Sequence, residues 1–335
     1  MAELLAPDEV GAAADALAAG LLVAFPTETV YGLGADAADP VAVGRIFAAK
    51  GRPTGHPLIV HLADAGWLDR FAADVPAPAQ ALAAAFWPGP LTLVVRRTDA
   101  VAPETVGGKD TVGLRVPDHP VALALLRAFV DRGGTGVAAP SANRFGAVSP
   151  TTAAHVLDDL GADVDVVIDG GPSAVGVEST IVDVTGDRPE LLRPGGIAPV
   201  EIEAVIGQPL VDGRSGPARA SGMLASHYAP RAAVVLVEAE PTAADLIGAG
   251  GGVGVVGVAG PDTVLTNWSP PAGSPPVQVW VLPDDAAGFA ARLYATLREA
   301  DAVGVERLLV MPPATGSLRD AVLDRLHKAA APRPS

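Results

Sequence analysis

Residues 21–62 read LLVAFPTETVYGLGADAADPVAVGRIFAAKGRPTGHPLIVHL, and their order of textures sets the fold class. The apolar run Leu21 to Phe25 predicts a strand, and the turn-rich stretch Pro26 to Asp36 follows it directly. Asp39-Pro40 supplies an N-cap and a proline at the first helical position. Val43, Ile46 and Phe47 then carry helical spacing as far as Lys50. After a tight polar loop, Pro57 to Leu62 reads as the next strand. Strand, turn, helix, loop and strand in that sequence is α/β texture.

The alternation extends in both directions. A helix is expected from Asp8, a candidate N-cap, to Gly20, a candidate stop. Further strands are expected at Leu91–Val95, Val112–Val116, Gly136–Ala139, Val164–Ile168 and Thr180–Val184. Helices are expected from Asp118 to Asp131 and after Ser149-Pro150, with Ser149 as the N-cap. This bounds an α/β domain at residues 1–206. From 207 to 231 the chain is rich in glycine, proline, serine and arginine and reads as a linker. Residues 232–335 alternate strand and helix again: strands at Ala233–Val237, Gly254–Val258, Val277–Leu282 and Arg307–Met311, helices near Thr242–Ile247, from Asp284 to about Ala300, and at the end. That pattern predicts a small parallel, Rossmann-like sheet.

Composition narrows the chemistry. The 335 residues include 49% hydrophobic side chains, ample for folded cores, and no cysteine, which excludes disulfides, thiolate nucleophiles and cysteine-ligated metals. The net charge is −15, and residues 1–205 hold 13 basic against 26 acidic side chains. Broad contact with a nucleic-acid backbone needs clustered positive charge, so little direct nucleic-acid binding is expected. The N-terminus lacks a basic leader, and no apolar run reaches the roughly 18 residues of a membrane span. A cytoplasmic protein without membrane attachment is the expectation.

Several motifs carry two readings. Lys50-Gly51-Arg52 can converge on one anion, or simply favour the helix C-terminal dipole and stay solvated. Ala139-Pro140-Ser141-Ala142-Asn143 and Ser149-Pro150-Thr151 place hydroxyls at a strand end and a helix start. Val177-Glu178-Ser179-Thr180 and Leu192-Arg193-Pro194-Gly195 add a serine and an arginine at strand termini. Arg115, inside an apolar strand, either faces outward or needs a buried partner. His61 ends a strand, where a histidine is commonly packed. Gly252-x-Gly254-x-x-Gly257 has the letters of a dinucleotide fingerprint, but the glycines run through a strand rather than opening a helix, so close packing is the better reading.

Taken together and in order, these segments resemble the threonylcarbamoyl-AMP synthase family with its YrdC-like fold. The resemblance rests on Phe25–Gly34, Lys50–Pro53, Pro57–His61, Trp87–Thr92, Val112–Arg115, Ala139–Asn143, Gly176–Thr180 and Leu192–Gly195. Gly222–Pro230 and the α/β segment beyond it resemble the linker and C-terminal domain of the long form. The resemblance implies a twisted, open α/β sheet around a positive cavity. It also implies an activity: L-threonine, bicarbonate or CO2, and ATP with Mg2+ give L-threonylcarbamoyladenylate and pyrophosphate. The product passes to a tRNA threonylcarbamoyl-transferase complex, which modifies adenosine 37.

By the same resemblance, Lys50 and Arg52 hold the phosphates and count as catalytic. His56, Thr111, Ser141, Ser149, Arg193 and Tyr228 lie on the ATP side. Thr29, His61, Arg115, Ala139 and Ser179 lie on the L-threonine side. Threonine carbamate can itself attack the α-phosphorus, so alignment and charge stabilisation suffice and no side-chain nucleophile is needed. Two departures stand out. His56 replaces a frequent asparagine, introducing an imidazole whose ordinary pKa is near neutrality. Ser221 replaces a proline that often precedes the glycine, which is expected to loosen the segment leading to Tyr228. The competing reading is a non-catalytic, RNA-binding YrdC-like module; a carbamoyl-adenylating domain of hydrogenase maturation or antibiotic carbamoylation would need zinc fingers or a transferase domain.

Overall fold

A computed structural model describes residues 2–214, 220–223, 227–238, 252–258 and 277–332. The chain divides into two compact units, Met1–Phe145 with Ser149–Met223, and Gly146–Val148 with Leu224–Ser335.

The first unit is built on eleven strands: β1 (Glu3–Leu5), β2 (Val23–Phe25), β3 (Gly32–Asp36), β4 (Ile59–His61), β5 (Leu91–Arg96), β6 (Thr111–Arg115), β7 (Val137–Ala138), β8 (Val166–Ile168), β9 (Thr180–Asp183), β10 (Glu190–Arg193) and β11 (Val211–Asp212). They lie in the order β1-β8-β2-β3-β7-β4-β6-β5-β9-β10-β11, with mixed directions. Among the described residues, seven α-helices, α1 (Val10–Ala18), α2 (Pro40–Lys50), α3 (Leu68–Phe71), α4 (Ala77–Phe86), α5 (Pro120–Val130), α6 (Ala153–Leu160) and α7 (Pro199–Ile206), accompany the strands.

Strand alternation explains how the sheet is covered. Along β2, Leu22 and Ala24 enter the main core while Val23 and Phe25 enter a second one. Both faces are therefore buried, which is why the stretch reads as continuously apolar. The second core is closed by Ala13, Ala14 and Leu17 of α1 with Val121, Leu125 and Phe129 of α5. Helix α2 follows its sequence signals closely. Asp39 Oδ1 accepts from Val41 N at 2.8 Å, Pro40 opens the helix, and Gly51 ends it in the left-handed region at φ 62°.

Several expectations needed correction. The stretch expected as turn holds β3, antiparallel to β2, with Phe25 opposite Gly32 and Val23 opposite Gly34. A Cβ on Gly34 would sit 2.8 Å from Val137 and 2.9 Å from Phe25, so glycine marks close packing within the sheet there. Helix α1 starts at Val10 after Glu9, not at Asp8, and Thr152, not Ser149, caps α6 by accepting from His155 N at 3.3 Å. Helices α3, α4 and α7 and strand β1 were not anticipated, whereas β10 ends at Arg193, where a strand terminus was expected. Within the expected linker, Val211–Asp212 pairs with β10.

The second unit holds the parallel strands β12 (Ala233–Leu236), β13 (Val253–Val258), β14 (Val277–Leu282) and β15 (Arg307–Val310), ordered β12-β15-β13-β14. Helices α8 (Ala286–Ala302) and α9 (Arg319–Ala330) accompany them. Gly254 sits inside β13, where a Cβ would lie 2.6 Å from Leu308 and 2.8 Å from Trp280, as expected for a packing glycine. The helix expected near Thr242–Ile247 lies outside the described residues. No described helix is long and apolar enough to cross a membrane.

Candidate active site

The loop leaving β2 is organised by one hydroxyl. Thr27 Oγ1 accepts from Thr29 N and Val30 N and donates to the Val30 carbonyl at 2.5 Å. A carbonyl can only accept, so the 2.9 Å contact between the two threonine hydroxyls must be donated by Thr29. Thr29 in turn accepts from Arg115 Nη2 at 2.9 Å. The hydrogen bonds therefore run in one direction, from Arg115 through Thr29 and Thr27 to Val30.

Arg115 ends β6 and is 4% exposed. Its Nε donates to Gly89 O at 3.3 Å, and its Nη2 lies 2.7 Å from Glu28 Oε1. The outward-facing reading is thus excluded, and Glu28 is the buried partner that the charge required. His61, opposite Arg115 in the β4–β6 register, packs edge-on against Phe25. Burial first, and the Arg115 cation second, pull its pKa down to about 3, so the imidazole is neutral. Ala139, just after β7, is buried and donates its N–H to Ile59 O at 2.9 Å.

On the neighbouring strands, Ser179 Oγ shares a 2.8 Å hydrogen bond with Thr92 Oγ1. Arg193 closes a fork on the Ser179 carbonyl through Nε at 3.0 Å and Nη2 at 2.9 Å, and reaches Ser179 Oγ at 3.1 Å. Gly195 makes this approach possible, since a Cβ there would stand 2.3 Å from Glu178 O. Ser149, buried, donates to Glu178 Oε1 at 2.6 Å instead of capping a helix.

Lys50 and Arg52 are 3% and 7% exposed, which rules out the solvated reading. Lys50 Nζ donates to the carbonyls of Ser141 and Asn143, each at 2.5 Å, so it meets Ser141 through backbone and not hydroxyl. Burial, and after it the Arg52 cation, hold the Lys50 pKa well below the ordinary lysine range. Arg52 Nη2 donates to Pro57 O at 3.1 Å and Ser221 Oγ at 3.2 Å, and its guanidinium lies over the Phe145 ring at 5.7 Å. His56 packs edge-on to the same ring, its pKa lowered by burial and then by Arg52 and Lys109. The imidazole is therefore biased towards its neutral form. Thr111 opens β6, half-buried, and makes no side-chain hydrogen bond among the described residues.

Among the predicted residues, contacts join Lys50 to Ser141, Arg52 and His56 to the same Phe145 ring, Arg193 to Ser179, and Arg115 to Thr29, with His61 opposite Arg115 in the strand register. Tyr228 lies in the second unit, at φ 59° and 1% exposed, stacked on Tyr294 at 5.8 Å with the Arg325 guanidinium 5.0 Å from its ring. Among the described residues no cluster of three His, Asp or Glu is placed to hold a metal. Residue-by-residue reading gave no role to Glu28, Glu178 or Phe145; for Glu28 the signal was present, as the one carboxylate inside a motif rich in hydroxyls.

With this geometry established, known proteins discriminate between the readings. Residues 15–195 match the Sua5/YciO/YrdC family model, described as "Telomere recombination", and residues 197–331 match the C-terminal domain of threonylcarbamoyl-AMP synthase. The chain belongs to the threonylcarbamoyl-AMP synthase family. It is 43% identical to the threonylcarbamoyl-AMP synthase of Pyrococcus abyssi over 324 residues, 92% of this chain and 90% of that one. The Bacillus subtilis threonylcarbamoyl-AMP synthase is 46% identical over 238 residues, 70% and 68% of the two chains. The P. abyssi Sua5 structure complexed with L-threonine superposes with a TM-score of 0.86 at 40% identity, covering 98% and 97%. Long-form members of this family thus share both units of the chain.

Proposed function

We propose that this protein condenses L-threonine, bicarbonate or CO2, and ATP into L-threonylcarbamoyladenylate, releasing pyrophosphate. A carbamate oxygen of N-carboxythreonine forms the new bond to the α-phosphorus, and the bond from that phosphorus to the bridging oxygen of pyrophosphate breaks. The side chains need only align these atoms and offset phosphate charge.

In this reading Lys50 and Arg52 hold the phosphates, with His56, Thr111, Ser141, Ser149, Arg193 and Tyr228 on the nucleotide side. Thr29, His61, Arg115, Ala139 and Ser179 form the threonine side, where an arginine fork suits a carboxylate. The observation that best supports the proposal is the Arg193–Ser179 link at 2.9 and 3.1 Å, which joins a residue assigned to the nucleotide side to one assigned to the threonine side. A bound ATP supplies hard oxygen donors of its own, so Mg2+ is proposed to arrive on the triphosphate, where it would offset phosphate charge. Glu28 and Glu178 are engaged by Arg115 and Ser149 and do not make a protein-only cage for it. The reading puts the reaction in the cytoplasm and passes the product to a tRNA threonylcarbamoyl-transferase complex. An RNA-gripping module is disfavoured because the cations lie buried at individual contacts within an acidic unit.

The test is pyrophosphate release from ATP that requires both L-threonine and bicarbonate. The K50A/R52A double variant is expected to lose about a hundredfold in kcat/KM, about 2.7 kcal/mol. Unchanged release in that variant removes the phosphate clamp; no three-substrate release by the wild type removes the function.

A further inference from the structure

The carbamate that attacks ATP must first be made, and that earlier step has a requirement of its own. At neutral pH the amine of an α-amino acid is largely an ammonium, which has no lone pair to give to CO2. A proton acceptor is therefore needed beside the nitrogen. Glu28 is 7% exposed, and both its carboxylate oxygens are buried without a hydrogen-bond donor among the described residues. Its backbone is fixed. The Glu28 carbonyl accepts from Val175 N at 2.7 Å, and the hydroxyls of Thr27 and Thr29, on either side of it, are engaged with each other. The other groups on the threonine side are poor proton acceptors. Arg115, whose Nη2 lies 2.7 Å from Glu28 Oε1, is a permanent cation. Thr29 offers only a neutral hydroxyl that already accepts from Arg115. His61, with a pKa of about 3, is too weak a base at neutral pH.

We infer that Glu28 is the catalytic base for N-carboxylation: it accepts a proton from the α-ammonium of L-threonine and so frees the amine to attack CO2. In an α-amino acid a single carbon separates the nitrogen from the carboxylate. A substrate carboxylate taken by Arg115 therefore brings its ammonium beside the group that flanks the guanidinium, which is Glu28. Two buried carboxylate oxygens without donors are what an ammonium leaving water requires. The first N–H bond breaks and its proton passes to Glu28. The nitrogen lone pair then forms the N–C bond as one C–O electron pair of CO2 moves onto oxygen. Loss of a second N–H proton to water, and of the first from Glu28, leaves the carbamate and regenerates the carboxylate. The inference rests on the proposed reaction and on assigning Arg115 to the threonine carboxylate.

Pyrophosphate release by the full chain tests it, measured with L-threonine, ATP and bicarbonate at saturation for the wild type, Glu28→Gln and Glu28→Asp. Gln keeps an oxygen for the ammonium but cannot carry its proton, so kcat of E28Q is expected to fall about a hundredfold at pH 7 without a rise in KM for L-threonine. Raising the pH to 9 lets the substrate amine lose its proton unaided. The ratio of wild-type to E28Q kcat should then shrink about tenfold, and taking a ratio cancels the loss of CO2 to carbonate. Arg115, on β6, and His119, at the start of α5, face Glu28 among the described residues. Neither changes charge in this window: arginine stays protonated, and burial lowers the His119 pKa from its ordinary value. E28D keeps the charge beside Arg115, so its test stands even where E28Q fails to fold. Its carboxylate is withdrawn by one methylene, and a gap of about tenfold at pH 7 is expected, closing by pH 9. A wild-type kcat in E28Q, or ratios that do not move with pH, overturns the base while leaving the proposed reaction standing. No release by the wild type removes the reaction, and the base with it.

Discussion

Arg115 Nη2 stands 2.7 Å from Glu28 Oε1, yet neither oxygen of Glu28 takes a hydrogen bond among the described residues. The pair is held by charge at a distance typical of a hydrogen bond but without its alignment. Glu28 therefore neutralises a buried arginine without satisfying its own acceptors, a costly arrangement in a low-dielectric interior. Under the proposed assignment of Arg115 to the L-threonine side, Glu28 balances its charge in the absence of substrate and leaves the guanidinium able to take a second carboxylate.

Glu28→Gln keeps the shape and removes the charge. With Arg115 left uncompensated, urea unfolding without substrate is expected to show a loss of about 3 kcal/mol. Saturating L-threonine, whose carboxylate can supply the missing charge, should restore more stability to the variant than to the wild type, and its KM for L-threonine should fall. Equal ligand stabilisation of the two proteins would show that the pair and the substrate do not share Arg115.

His61 gives the fold an acid-sensitive element. Its folded pKa of about 3 lies below its ordinary value of 6.5, so the unfolded chain binds the proton first as pH falls. The stabilising contribution is full above about pH 6.5 and is lost progressively down to about pH 3. This residue alone costs about 2 kcal/mol by pH 5. His61→Gln, which does not titrate, should flatten the dependence of urea midpoint on pH in that window; an unchanged slope would assign the acid sensitivity elsewhere.

Two glycines should respond in opposite directions. At Gly195 a Cβ would meet Glu178 O and Ser179 C at 2.3 Å and Thr180 N at 2.4 Å, all backbone atoms that cannot rotate away. Gly195→Ala is expected to destabilise by about 3 kcal/mol or more and to displace Arg193 from Ser179. Gly44 lies within α2 with nothing within 4 Å of its Cβ position. There alanine should stabilise by about 0.5–1 kcal/mol through helix propensity alone. Thermal or urea unfolding of both variants checks the contrast.

The start of α2 was legible because its signals are local: Asp39, Pro40 and Gly51 act on backbone groups within a few residues of themselves. Strand β3 was not legible, because Gly32 and Gly34 have low strand propensity and the pairing comes from Phe25 and Val137 closing over the missing side chains. Ser149 illustrates a different failure. Its position before a helix suited an N-cap, but a carboxylate 29 residues later accepts its hydrogen bond and Thr152 does the capping.

By itself the amino-acid sequence determined the α/β character of both units, the buried strands and the residue types able to bind anions, since those depend on periodicity and local chemistry. It also carried the motifs that mark the family. Only the tertiary structure decided which of those residues meet. Arg52 and Ser221 are separated by 169 residues, Arg115 and Thr29 by 86, and the sheet order brings each pair within hydrogen-bond distance. A spacing along the chain limits contact only over a turn or two; beyond that, the strand order and the close approaches of glycine backbone set the distance between charges.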